Sequence, residues 1–213
     1  MNIFKGNLYL LLASFIWGTT FVAQTTGMGF VGPLTFTFSR FFLGALTVVP
    51  FLIVYEINVF SIIIKRYKTL LLIFATGLTL GSAATIQQYA LLYTDVSNAA
   101  FITALYVPIV PLILKIFFKK YLHWSIWIAV IICLIGLYLL TADANTKIGN
   151  ISDILLISAA FLFAVQIILN DIYLQKNKAP FSFAFSQYLI VFIITLFLAL
   201  IFEKPTIYGI KNE

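Results

Sequence analysis

The chain has 213 residues, 62% of them hydrophobic and 9% charged, with a mean hydropathy of +1.08. A soluble domain carries about 25% charged residues, so this chain cannot clothe a water-facing surface and the bilayer is its solvent. The net charge of +6 does not mark a nucleic-acid partner, because the basic residues lie in short loops between apolar runs. The single cysteine, Cys133, excludes an intramolecular disulfide and any zinc-ligand spacing.

A spanning helix needs about 20 apolar residues, and seven runs approach or exceed that length. The first, Leu8–Thr26, carries Trp17 and Gly18. It lacks a small-x-small cleavage pattern and further spans follow, so it reads as a retained helix rather than a signal peptide. The second, Pro33–Val54, holds Arg40. The third, Leu70–Tyr93, places Gly77, Gly81, Ala84 and Gln88 on one face, with a Gly-x-x-x-Gly pair suited to close helix contact. The fourth, Asn98–Phe118, carries Asn98, Thr103 and Tyr106 ahead of Pro108 and Pro111. The fifth, Trp124–Thr141, holds Cys133. The sixth, Ile151–Asn170, aligns Ala159, Phe163, Gln166 and Asn170. The seventh is Phe181–Phe202. The expected fold class is an all-α polytopic transmembrane helix bundle.

With the N-terminus inside, the cytoplasmic loops hold nine basic residues: Lys5, Lys65, Arg66, Lys68, Lys115, Lys119, Lys120, Lys176 and Lys178. The opposite side holds three, Lys147, Lys204 and Lys211. This bias predicts a cytoplasmic N-terminus.

Residues Pro33-Leu-Thr-Phe-Thr-Phe-Ser-Arg40-Phe41 recur as Pro180-Phe-Ser-Phe-Ala-Phe-Ser-Gln187-Tyr188, at an offset of 147. Five spans lie between equivalent positions, and an odd number inverts the topology. The pattern is that of a transporter built from two inverted repeats. The first spans correspond more weakly, Phe15-Ile-Trp17-Gly18 against Phe161-Leu-Phe163-Ala164. Residues 5–141 then form a first five-helix unit, and residues 149–213 begin a second that holds two helices. By the offset, roughly 75 further residues complete the second unit. The expectation is a fragment of a ten-helix protein, with a native seven-helix protein as the alternative.

Arg40 is the sharpest candidate for chemistry. It lies about 10 Å along its span at 1.5 Å per residue, where insertion costs roughly 2.5–3.5 kcal/mol. Pro33, Thr37, Arg40, Gly44 and Thr47 follow helical spacing and predict a small, polar, inward stripe, with Phe38, Phe42, Leu46 and Val49 toward lipid. A guanidinium on such a stripe can pair with a carboxylate or phosphate on a solute, or it can bond helix-end carbonyls or snorkel outward. No acid lies within the first five predicted spans, since Glu56, Asp95 and Asp143 fall in loops. This favours a neutral, zwitterionic or anionic solute over a cation. Asp153 and Asp171 read as solvated caps of the sixth span. Trp17, Gln88, Tyr106, Gln166 and Gln187 are the candidate walls and hydrogen-bonders of a pocket near the midplane, with interhelical glue as the competing role.

Catalysis finds no support. The lone histidine, His123, lies in a loop, and no nucleophile–base set, phosphate loop, metal site or cofactor motif is present. A retinal Schiff base needs a lysine in the last span, and Phe181–Phe202 has none.

Several segments resemble the EamA branch of the drug/metabolite transporter superfamily. They are Trp17-Gly-Thr-Thr-Phe-Val-Ala23, Pro33 followed by Arg40, Gln87-Gln-Tyr-Ala-Leu-Leu-Tyr-Thr94, Ser97-Asn-Ala-Ala-Phe-Ile102, Pro108-Ile-Val-Pro111 and Gly136-Leu-Tyr-Leu-Leu140. Lys119-Lys120 departs from the Gly-Glu that often follows the fourth helix in that family. The resemblance implies ten helices in two inverted units, cytoplasmic termini and a central cavity for a small-molecule solute. The expected protein is a multi-pass inner-membrane permease or exporter of metabolites or amino-acid-type solutes, working by alternating access. Its partners are the lipid bilayer and the solute; a homodimer is compatible with it. The alternative is a non-transporting membrane protein that acts only with a partner half.

Overall fold

The computed structural model describes residues 3–142 and 150–205. Asp143, Lys147 and Lys211 of the loop assignment lie outside the described residues. The described chain is helical throughout: α1 (Ile3–Met28), α2 (Pro33–Phe51), a π-helical turn (Leu52–Glu56), α3 (Ile57–Ile63), α4 (Tyr67–Ala90), α5 (Val96–Ala104), α6 (Tyr106–Ile116), α7 (Trp124–Ala142), α8 (Ile151–Asn177) and α9 (Pro180–Phe202). Six stretches are long and apolar enough to cross a membrane, and α7 adds a further apolar helix. Helices are what such a sequence must form, because the hydrocarbon offers backbone groups no other partner.

Two spans differ from the sequence reading in a way that matters. The second does not stop at Val54. It continues through the π-turn to Ile63, a stretch of 31 residues. Pro50 lies inside α2 just before that turn, and the turn adds a residue to one cycle and rotates Glu56 inward. Glu56 is therefore not a loop residue; it is 8% exposed. The fourth span is broken at Leu105 into α5 and α6. Pro108 causes this, since its ring clashes with the carbonyl four residues back, at Ala104, where α5 ends.

The bundle is organised around α2 packed along α9, and α4 packed against α8 and α9. α5 and α6 cover another side of α8, while α1 lies at the edge against α2 and α5. Small residues make the close approaches: Ala83 meets Ala159 and Phe163, and Ala84 meets Phe41 and Val191. Leu156 is enclosed by Phe21, Ala90, Leu91, Ala99 and Ile102. The many apolar side chains left exposed, such as Phe15, Val54 and Phe197, face what would be lipid.

α2 and α9 run antiparallel, and each end of the pair is closed by a carboxylate. The Glu203 carboxylate accepts the Leu34 and Thr35 backbone N–H groups at 2.7 Å each, and the Thr35 hydroxyl at 2.6 Å. At the other end, Glu56 Oε2 accepts the Ser182 N–H at 2.7 Å. These amides belong to the first turns of α2 and α9, where backbone donors lack intrahelical partners and the helix dipole favours an anion.

The two carboxylates expected to be solvated caps divide. Asp171 is exposed and lies 3.7 Å from Lys120, a surface pair worth little. Asp153 does cap α8 through a capping box with Asn150, but it is buried rather than solvated, and the Asn98 amide donates to it at 3.0 Å.

Candidate functional site

Serine and threonine are numerous in the spans, yet most of their hydroxyls are already used. Thr37, Ser39, Thr76, Ser186 and Thr195, among others, donate to carbonyls three or four residues back in their own helices. Such back-bonding satisfies the hydroxyl locally and leaves amides and Arg40 as the polar groups available to a solute.

The structure brings four of the six predicted site residues into two pairs. Trp17 of α1 stacks on Tyr106 of α6 at 5.7 Å between ring centroids, with Phe163 of α8 edge-on to Trp17 at 6.5 Å. A cavity of about 230 Å³ opens beside Trp17 and Tyr106, lined also by Ser14, Phe21 and Thr103. One turn along α8 from Phe163, the Gln166 amide donates to Gln187 Oε1 on α9 at 3.1 Å, and both glutamines are buried. Tyr188, next to Gln187, meets Phe41 of α2 at 5.6 Å, and the Arg40 guanidinium lies 5.1 Å from the Phe41 ring centroid. Aromatic and amide contacts thus link successive helices across the bundle from α1 to α2: Trp17 with Phe163, Gln166 with Gln187, and Tyr188 with Phe41 beside Arg40.

The predicted stripe on α2 is realised in part: Thr37 is fully buried and Phe42 and Leu46 are exposed, while Arg40 and Gly44 are only half-buried. The buried face of α2 is Leu34, Thr37, Phe41 and Ala45, about one residue round from the expected stripe, and Thr47 is exposed. Arg40 sits at the edge of that face, partly buried. Among the described residues, no hydrogen bond or ion pair reaches its guanidinium, so the alternative of bonding to helix-end carbonyls is not realised.

Gln88 stands apart from both pairs. It is fully buried on α4, and neither its oxygen nor its nitrogen has a hydrogen-bond partner among the described residues. It is therefore not interhelical glue here, unlike its neighbour Gln87, whose amide donates to Thr103 Oγ1 at 2.9 Å. A buried unsatisfied amide costs about 1–3 kcal/mol. Gln88→Leu is expected to raise thermal stability while lowering solute uptake, measured by thermal unfolding and by flux in vesicles. A fall in stability would show that the amide has a partner after all.

Sequence reasoning missed three residues. Gln24 on α1 is 1% exposed with an unpartnered Oε1; as an amide within the first apolar run it could have been singled out. Glu56 and Glu203 were legible too, since they are separated by the repeat offset of 147. A larger cavity, about 430 Å³, lies away from the predicted site, at the α1–α2 connection and the end of α9, with Glu203 and Lys204 on its wall.

Comparison with known proteins supplies the family. Residues 4–142 match the EamA-like transporter family. The chain is also 29% identical over 193 residues to an uncharacterized transporter of Archaeoglobus fulgidus, an alignment covering 89% of this chain and 56% of that protein. The chain thus spans little more than half the length of this curated relative. No solved structure matches it. With the family matched over most of its length and six apolar helices of spanning length, the chain is a multi-pass membrane protein belonging to the EamA-like transporter family.

Proposed function

We propose that this chain carries the first unit and the start of the second unit of an inner-membrane solute transporter that works by alternating access. The units are residues 5–141 and 149–213, related by inversion, with the N-terminus in the cytoplasm. The antiparallel α2–α9 pair, whose sequences repeat at the offset of 147, supports the inversion. The basic loops support the orientation.

The solute carries a carboxylate or phosphate and is of metabolite or amino-acid type. The observation that carries this reading is Arg40: a cation within a spanning helix, without an ion-pair partner among the described residues, connected through Phe41 and Tyr188 to the Gln166–Gln187 amide pair. Intramembrane ionisable groups mark solute or ion pathways. The case against a cation no longer rests on a missing membrane acid, because Glu56 is buried within a span. It rests on Arg40, and on the Glu56 and Glu203 carboxylates being engaged by helix N-termini.

The test is solute flux through the full-length protein in proteoliposomes, comparing anionic, zwitterionic and cationic amino-acid-type solutes. Flux of the first two is expected, with Gln187→Ala lowering it about tenfold, the equivalent of one buried hydrogen bond. Flux restricted to cations, or unaltered by Gln187→Ala, would remove this assignment.

A further inference from the structure

Glu56 and Glu203 are not only reciprocal caps; they are related by the repeat. Advancing Glu56 by 147 gives Glu203, and advancing Thr35 by the same offset gives Ser182. Each carboxylate therefore sits on the first turn of the helix that is the other's counterpart, one at each end of the α2–α9 pair. Thr35 and Glu56 lie 21 residues apart along this span, roughly 32 Å at 1.5 Å per residue, which matches the thickness of a bilayer's hydrocarbon core. One contact thus closes each membrane face.

The two contacts are unequal. Glu203 accepts three hydrogen bonds, including one from the Thr35 hydroxyl. Glu56 accepts one, and the hydroxyl of Ser182, the counterpart of Thr35, is fully buried without a partner among the described residues. The sequence supplies a reason. A Cβ on Gly32 would fall on the Glu203 carboxylate, so the absence of a side chain is what lets Glu203 seat. The counterpart of Gly32 is Ala179, which carries a methyl group and is buried at the start of α9. Glu56 also ends a π-turn, with φ −135° and ψ 8°, outside helical geometry. Such π-turns within helices are frequent at functional sites.

We propose that Glu203 and Glu56 are positioning residues that latch the two faces of the α2–α9 pair, with Glu203 the stronger latch, so that the resting protein is held closed at the Glu203 face and yields first at the Glu56 face. This rests on the alternating-access reading. Opening one face then means releasing one carboxylate from a helix N-terminus while the other holds. With the N-terminus in the cytoplasm, the Glu203 face is the external one, and the solute reaches the pathway from the cytoplasm first.

The test uses the full-length protein in nanodiscs with Cys133→Ser, and spin-label pairs on exposed positions near each face: Phe30 with Leu200, and Val54 with Lys178. Distances are read without solute. Gly32→Ala and Thr35→Val are expected to increase the wide population of the first pair about tenfold, the loss of one hydrogen bond to a charged group, and to narrow the second. Ala179→Gly is expected to narrow the second pair by letting Glu56 seat, and Glu56→Gln to widen it. Thr35→Val keeps both backbone bonds to Glu203, so it decides the matter if Gly32→Ala does not fold. Both pairs widening together, as from general loosening, or neither pair moving, would overturn the latches. Opposite movements in a protein that shows no solute flux would retain the latches and reject the transport reading. Flux without opposite movements would do the reverse.

Discussion

Arg40→Ala is expected to lower solute uptake by the full-length protein about 10- to 100-fold at low solute concentration. The estimate is the loss of one charge-assisted hydrogen bond, about 1.5–3 kcal/mol, converted to affinity. The same substitution should leave stability unchanged or slightly raised. No protein group hydrogen-bonds the guanidinium among the described residues, and its ring contact with Phe41 is worth only about 0.5–1 kcal/mol. Removing a cation from a spanning helix offsets that loss. Arg40→Lys should restore part of the uptake, because lysine supplies the charge without the planar fork that grips both oxygens of a carboxylate. Uptake rates and thermal unfolding of the same preparations check this. Intact uptake with a large loss of stability would make Arg40 structural.

The largest effect on folding is expected at Gly77. A Cβ placed there would come within 2.8–3.0 Å of Cγ2, Cβ and Cδ1 of Ile190 on α9. The Ile190 Cβ is fixed to its backbone, so a rotamer change cannot relieve the clash and the helices must separate. Overpacking of this kind costs about 1–3 kcal/mol, and it is as severe in lipid as in water because it is steric. Gly77→Val should therefore reach or exceed the upper end of that range. Gly81→Ala should cost much less, since its Cβ would meet Val191 at 3.4 Å or beyond. Ile190→Gly, which removes the Cβ that an alanine at 77 would meet, should rescue Gly77→Ala. Unfolding midpoints of the two singles and the double variant test this, and additive destabilisation would mean that Gly77 and Ile190 are not the contacting pair.

The Gly77–Gly81 face shows how far the sequence reached. Helical spacing put Gly77, Gly81, Ala84 and Gln88 on one face, and all four are buried. That face was legible because 3.6 residues per turn is local geometry. Its partner was not: α9 lies over a hundred residues away, and small residues say that a helix is close without saying which. The α2 stripe was legible only in part, for a related reason. Polarity was taken as the inward signal, but in a bilayer an inward face can be apolar, and Phe41 rather than Arg40 points at α9. Among the candidate residues, Gln166 and Gln187 meet each other, whereas Gln88 stays alone, a difference that depends on where three helices cross.

Glu56 marks the boundary most clearly. An acid after an apolar run reads as the end of a span, because an unpaired charge is costly in hydrocarbon. The helix nevertheless runs on to Ile63, and the carboxylate meets the start of α9. Composition and periodicity by themselves determined that this is a membrane helix bundle, where its apolar runs lie, and that one segment recurs at an offset of 147; these follow from transfer free energy and local geometry. Only the tertiary structure decided which helices pair, which amides are satisfied, and that Glu56 and Glu203 close opposite ends of one antiparallel pair. Those outcomes depend on groups distant in the chain finding one another, and on the shortage of other partners within a bilayer.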